Sequence, residues 1–324
     1  EWKQLNEKRN ELINTTIEDL KSTLDLTVYK PRTENDEKDP PHLLPVVVGV
    51  QGRTWYSGSV RDGMQCYLST ALSLGYAAVM GERRVGQQGW RGRHMVHDVK
   101  ELIQWVVNSG KENGLDPSRI VVMGGGGSGA HLALTASYQL NEELQRKAVA
   151  VVIARHGATN LVDAWQTPQK RFWNEREAIE NITGQALFGE GQETEEDAAS
   201  AQAGYEYLSP VHHAAHNHGH IPPTVILHCR QDEYYNFDVH AATFADILSN
   251  NKVPHLLIDP FLHSHGCDVG STAPFQLIHY VFTRVLISVK LDAFDLEVEG
   301  ENESNRPTDG IREVQSSEKN AMEL

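Results

Sequence analysis

The sequence is short of cysteine, of positive charge and of long apolar runs. Its three cysteines, Cys66, Cys229 and Cys267, are too few and too unpatterned for a disulfide framework. Sparse thiols fit a reducing compartment, so three free thiols are expected, with a single bridge between Cys229 and Cys267 as the alternative. Lys and Arg number 29 against 44 Asp and Glu, giving a net charge of −15. That excess of negative charge attracts neither phosphate backbones nor anionic membranes, and it removes nucleic acid from the expected partners. No apolar stretch reaches the roughly 20 residues of a membrane span. No secretory leader is visible, although a chain that starts at Glu1 leaves room for one removed by processing. Sequons at Asn14, Asn181 and Asn302 are short enough to arise by chance, so they argue only weakly for secretion and a cytoplasmic location is the expectation.

What is present suits one large core: 40% of the 324 residues are hydrophobic, and α/β folds of this length often remain one domain. Residues 1–24 space Leu5, Leu12, Ile13, Ile17, Leu20 and Leu24 as one helical face. A Pro-rich polar connector follows over residues 30–45. Val46–Val50 is a continuous β-branched run, as in a strand buried on both faces. Strands are then expected at Tyr76–Met80, Ile120–Met123, Val149–Ala154, Thr224–His228 and Leu256–Asp259. Helices are expected at Gln65–Leu74, Asp98–Asn108, Ser128–Gln139 and His240–Asn250. Such alternation implies a mostly parallel sheet with helices on both faces. Residues 163–208 break the rhythm and read as a helical, lid-like insertion. Residues 295–324 are acidic and aromatic-poor, and are expected to be a disordered tail. The expected domain is therefore residues 1–294.

The segment Arg119–Leu134, RIVVMGGGGSGAHLAL, sets a strand, a glycine cluster and a helix in succession. A nucleophile elbow needs that order, because its turn is so tight that the flanking residues must be small. The helix N-terminus also offers free N–H groups to an oxyanion.

These residues resemble the hormone-sensitive-lipase-like, feruloyl-esterase-like and kynurenine-formamidase-like branch of the α/β-hydrolases, which carries G-x-S-A-G-[GA]-H-L-A at the elbow. Anchoring on Gly129-Ala130-His131-Leu132-Ala133 places the nucleophilic serine at Gly127, which has no side chain. Three readings stand. Gly127 replaces a serine that the working enzyme carries; or the register shifts by one and Ser128 attacks; or the chain is a natural pseudo-hydrolase. Measured from Asp116-Pro117, the distance to His131 is one residue longer than the family pattern, which keeps the register open. Measured from the helix, a slip of one residue turns Ser128 by about 100° and favours Gly127. A plain glycine-rich βα turn, as in nucleotide-binding folds, is the alternative outside the hydrolases.

The resemblance also implies the partners. Asp232, after the strand Thr224–Cys229, is similar in position to the acid of the family's H-G-x-x-D-x-x-V segment. His265, in His263-Ser264-His265-Gly266, matches the base of its G-x-G-H-G pattern. Acid followed by histidine is the order of this fold. His265 would act as general base and Asp232 would hold its tautomer. Glu233 and His263 are the rivals. The plainer alternative makes Asp232 a helix cap and His265 a loop histidine. The family's H-G-G-G-W oxyanion loop corresponds to Gln51-Gly52-Arg53-Thr54-Trp55, which implies N–H donors at Gly52 or Arg53 and at Ser128, the residue after Gly127. Trp55 and Tyr235 are expected to line the substrate pocket.

His212, His213, His216, His218 and His220 crowd a stretch read as a solvated loop, since zinc needs three or four convergent ligands and a supporting shell. His131 is expected to be a packed helix histidine. No metal and no cofactor are expected. The function implied is a carboxylic ester hydrolase acting on a small or medium organic ester or amide through a Ser–His–Asp mechanism, with a non-hydrolytic binding or cyclisation protein, or an amide or formamide hydrolase, as alternatives. Nothing in the sequence sets the oligomeric state.

Overall fold

The computed structural model describes residues 26–31, 43–52, 54–57, 65–166, 175–187, 194–216, 219–260 and 272–290. The expected N-terminal helix and acidic tail lie outside these residues, as do Arg53, His263 and His265. Among the described residues seven strands form one sheet: β1 (Leu26–Tyr29), β2 (Leu44–Val50), β3 (Ala77–Gly81), β4 (Leu115–Gly125), β5 (Val151–Arg155), β6 (Thr224–Leu227) and β7 (His255–Ile258). Their order is β1-β3-β2-β4-β5-β6-β7. Only β1 runs antiparallel, pairing with β3. The remaining pairs are parallel.

The strand period of two sorts the side chains into two cores. Val46, Val48, Val79, Ile120, Val122, Val152 and Ile226 face helices α2 (Gly92–Ser109) and α3 (Gly126–Leu144). Val47, Ala78, Val121, Met123, Ile153 and Val225 face the opposite way, onto Tyr67, Phe282, Val285 and Leu286 of the helices Gln65–Ser73 (α1) and Thr272–Lys290. Central strands thus read as unbroken apolar runs because both faces are buried. The last strand in the described sheet, β7, is less covered and leaves Leu256 48% exposed.

Local chemistry moved several boundaries. Helix α2 starts at Gly92, six residues before the expected Asp98, because the Arg91 N–H donates to Nδ1 of His94 at 3.0 Å; a histidine cap is not a standard start signal. Of the insertion, the described parts are helices α4 (Leu161–Gln166), α5 (Glu175–Thr183) and α6 (Glu195–Leu208). Thr194 caps α6 by accepting the Asp197 N–H. The histidine-rich stretch, expected as a loop, begins as helix α7 (Pro210–His216). Proline at a first helical position is pre-set for the turn, so Pro210 starts this helix and does not break it. The helix after β6 opens with a π turn over Asp238–Thr243 before helix α8 (Phe244–Asn250), a local irregularity often found beside functional sites.

Candidate active site

The carboxyl ends of β2, β4, β5 and β6 meet at one edge of the sheet, where ligands bind in open α/β folds. At β4 the chain turns straight into α3. The residue in the left-handed region is Gly126, with φ +69°; Gly127 is not in that region. The apex of the turn therefore lies one residue before the position that the family motif anchors. This agrees with the count from Asp116-Pro117 and disagrees with the count from His131.

The glycines of the cluster have separate reasons to be glycine. A Cβ on Gly124 would lie 2.2 Å from the Gly129 carbonyl oxygen, and one on Gly129 would lie 2.6 Å from the Gly52 nitrogen. A Cβ on Gly52 would in turn meet the Gly125 carbonyl oxygen at 2.1 Å. The loop after β2 is thus seated backbone-to-backbone on the elbow. Over Gly126 the space is open: among the described residues a Cβ there meets only the Gly52 Cα, at 3.8 Å. Over Gly127 it is filled, since a Cβ would fall 2.3–2.7 Å from the ring and hydroxyl of Tyr235. Ser128 follows inside the first turn of α3, 2% exposed, and its Oγ has no hydrogen-bond partner among the described residues.

Trp55 is fully buried. Its Nε1–H donates to Nδ1 of His131 at 3.0 Å, and Nε2 of His131 donates to the Leu208 carbonyl at 2.7 Å. This chain of bonds ties the loop after β2 to the elbow helix and to the end of α6. Burial lowers the His131 pKa to about 4, so the ring stays neutral, as an acceptor at Nδ1 must. Thr54, next to Trp55, has φ +24°, and backbone strain of this kind concentrates where a loop is held for function.

Asp232 sits at the carboxyl end of β6 with its side chain fully buried. Its Oδ1 accepts the N–H groups of Tyr234 and Tyr235 at 2.8 and 3.0 Å. Its Oδ2 lies 3.3 Å from Nδ1 of His156 and 3.4 Å from Nε2 of His228. His228 Nε2 also donates to the Tyr235 carbonyl at 2.9 Å. His156 ends β5 with φ +55°. Beside it, the buried Arg155 guanidinium packs 2.9 Å from where a Cβ on Gly125 would stand. Cys229 is disulfide-bonded, which corrects the expectation of three free thiols. Cys229 itself is fully buried, and its partner is outside the described side chains.

Among the described residues His156, His228 and Asp232 are the one group able to converge on a metal ion. Their spacings approach the roughly 3.4 Å edge of a tetrahedral zinc site. A ring nitrogen that donates its proton to a carbonyl has no lone pair to give, however, and His228 Nε2 does so. The group as it stands is a polar cage around a carboxylate. Farther along, His240 Nδ1 accepts the N–H groups of Thr159 and Asn160, at 3.2 and 3.3 Å. Burial and the neighbouring His228 bring the His240 pKa down to about 3. Its ring meets Tyr235 edge-on, 5.4 Å between centroids. His156 and His240 escaped the sequence reading because no motif marks them; His228 could have been found as the histidine of the H-G-x-x-D segment.

A parallel sheet, a glycine elbow after its central strand, an apposed loop after β2 and a buried acid after β6 define an α/β-hydrolase of the esterase branch. The profile of the BD-FAE family matches residues 26–243, and the chain belongs to that family. No curated protein matches it. Among solved structures, esterase 2 of the planctomycete Thermogutta terrifontis with bound propionate is similar at 21% identity and TM-score 0.62, over 83% of this chain and 90% of that one. The same enzyme with butyrate matches at 21% and 0.61 over 83% and 90%. Its form phosphonylated by sarin matches at 21% and 0.61 over 85% and 91%. No helix among the described residues is long and apolar enough to cross a membrane.

Proposed function

We propose that this chain is a carboxylic ester hydrolase scaffold for small esters whose nucleophile position is Gly126, so that in the form given it binds its substrate and forms no acyl-enzyme. The observation that carries this is the left-handed apex at Gly126, with open space above it among the described residues and Gly52 opposite. A strained apex of this kind is where an elbow presents its nucleophile. The missing side chain is thus assigned to the apex in place of Gly127, over which Tyr235 stands. The propionate-bound, butyrate-bound and sarin-phosphonylated forms of the Thermogutta terrifontis enzyme support a small acyl group and a nucleophilic side chain at the elbow. With a serine at 126, His265 would take its proton and Asp232 would hold His265. The N–H groups of Gly127 and Gly52 would receive the oxyanion.

The test compares Gly126→Ser, Gly127→Ser and the chain as given, using p-nitrophenyl acetate hydrolysis and fluorophosphonate labelling. Gly126→Ser is expected to gain both. Labelling of Gly127→Ser alone would move the nucleophile back to the motif register, and a folded but inert pair would end the hydrolase reading. If the given chain is labelled and Ser128→Ala abolishes it, Ser128 is the nucleophile.

A further inference from the structure

The acid segment of the family reads D-x-x-V, whereas this chain reads Asp232-Glu233-Tyr234-Tyr235. A tyrosine stands where the pattern has valine, and its ring occupies the volume that any side chain at 127 would need. Nor is this tyrosine a surface side chain free to swing. It is 3% exposed. Its N–H is held by Asp232 and its carbonyl by His228. Its ring rests edge-on against His240, which is fixed by Thr159 and Asn160 and by the Thr159 hydroxyl donating to the His240 carbonyl at 3.0 Å. Backbone and ring are therefore both clamped. A Cβ at 127 cannot be absorbed by a small rotation, because overpacking a filled, rigid volume forces strain.

We infer that Gly127 and Tyr235 form an interlocked pair, in which the tyrosine ring replaces the side chain at 127 and sets the width of the site beside the elbow. On this view Gly127 is a glycine required by Tyr235 and does not mark a lost serine. The width role rests on the reading of Gly126 as nucleophile position; the interlock does not.

A double-mutant cycle in thermal unfolding decides the interlock. Gly127→Ala is expected to lower Tm by roughly 3–8 °C with Tyr235 present and by roughly 2 °C or less in Tyr235→Val. Equal losses in both backgrounds would overturn the pair. The width role is read in Gly126→Ser, where adding Tyr235→Val should shift preference from p-nitrophenyl acetate toward the hexanoate by roughly tenfold or more. An unchanged chain-length profile would overturn it. Should Gly126→Ser be inert, the function reading fails separately. Width is then read from alkylation of the thiol introduced by Gly126→Cys, mapped by peptide mass spectrometry with reagents of increasing size. Tyr235→Val should speed the larger reagents most, and equal rates would refute the role.

Discussion

The two halves of the site edge are built from opposite materials. Around β2 and β4 the edge is almost bare backbone: Gly52, Gly124, Gly125 and Gly129 touch main chain to main chain, and the apex carries no side chain. Around β5 and β6 it is dense with buried polar side chains, His156, His228, Asp232 and Arg155. The backbone half can donate N–H groups but cannot transfer a proton or form a covalent bond. The side-chain half holds a carboxylate in a fixed, hydrogen-bonded setting suited to orienting a base. A working hydrolase needs both and one side chain at their meeting point. Gly126 is the point we propose for it.

Restoring the apex should change the molecule most. Gly126→Ser is expected to raise ester turnover on the order of 10⁶-fold over the chain as given, the size of the loss when a serine nucleophile is removed; steady-state kinetics with p-nitrophenyl acetate measures it. In that background Asp232→Asn should remove roughly 10⁴ of the gain. The effect is smaller because the acid orients the base and does not itself react. Little change in far-UV circular dichroism is expected, since the amide oxygen still accepts the Tyr234 and Tyr235 N–H groups.

Acid should loosen both halves. His131 and His240 are neutral in the folded protein down to about 4 and about 3 respectively, while in the unfolded chain each protonates near 6.5. Below about pH 6.5 the unfolded state therefore binds more protons. Stability is full above that pH and falls as pH drops toward 4 and 3, by up to about 1.4 kcal/mol per pH unit for each histidine. Urea midpoints at pH 7, 5.5 and 4.5 follow this loss, and a flat profile would show that these rings are not held neutral.

Gly52→Ala tests the backbone half alone. A Cβ 2.1 Å from the Gly125 carbonyl oxygen should cost roughly 1–3 kcal/mol and unseat the loop, read by chemical denaturation and by lost turnover in the Gly126→Ser form. Trp55→Phe removes the hydrogen bond to the buried His131 Nδ1 and leaves a small cavity where the larger ring stood, for a loss of roughly 1–3 kcal/mol in the same denaturation measurement.

The sequence by itself determined the strand–helix alternation, the parallel sheet and the place of the elbow, because those follow from local patterns: apolar runs, glycine spacing and the Asp232 segment after a strand. Tertiary structure decided which glycine stands at the apex. The motif had one residue to spare, and the backbone turn at Gly126, with Tyr235 filling the space over Gly127, selects Gly126. It also decided that Trp55 and Tyr235 are buried, that Cys229 is bridged, and that His156 and His240 come to the acid. Those residues lie in different parts of the chain with no shared motif, and they meet only because parallel strands deliver their carboxyl ends to the same edge. The glycine cluster is the clearest case. Its spacing announces a tight turn, but the reason for each glycine lies in what the folded chain places against it.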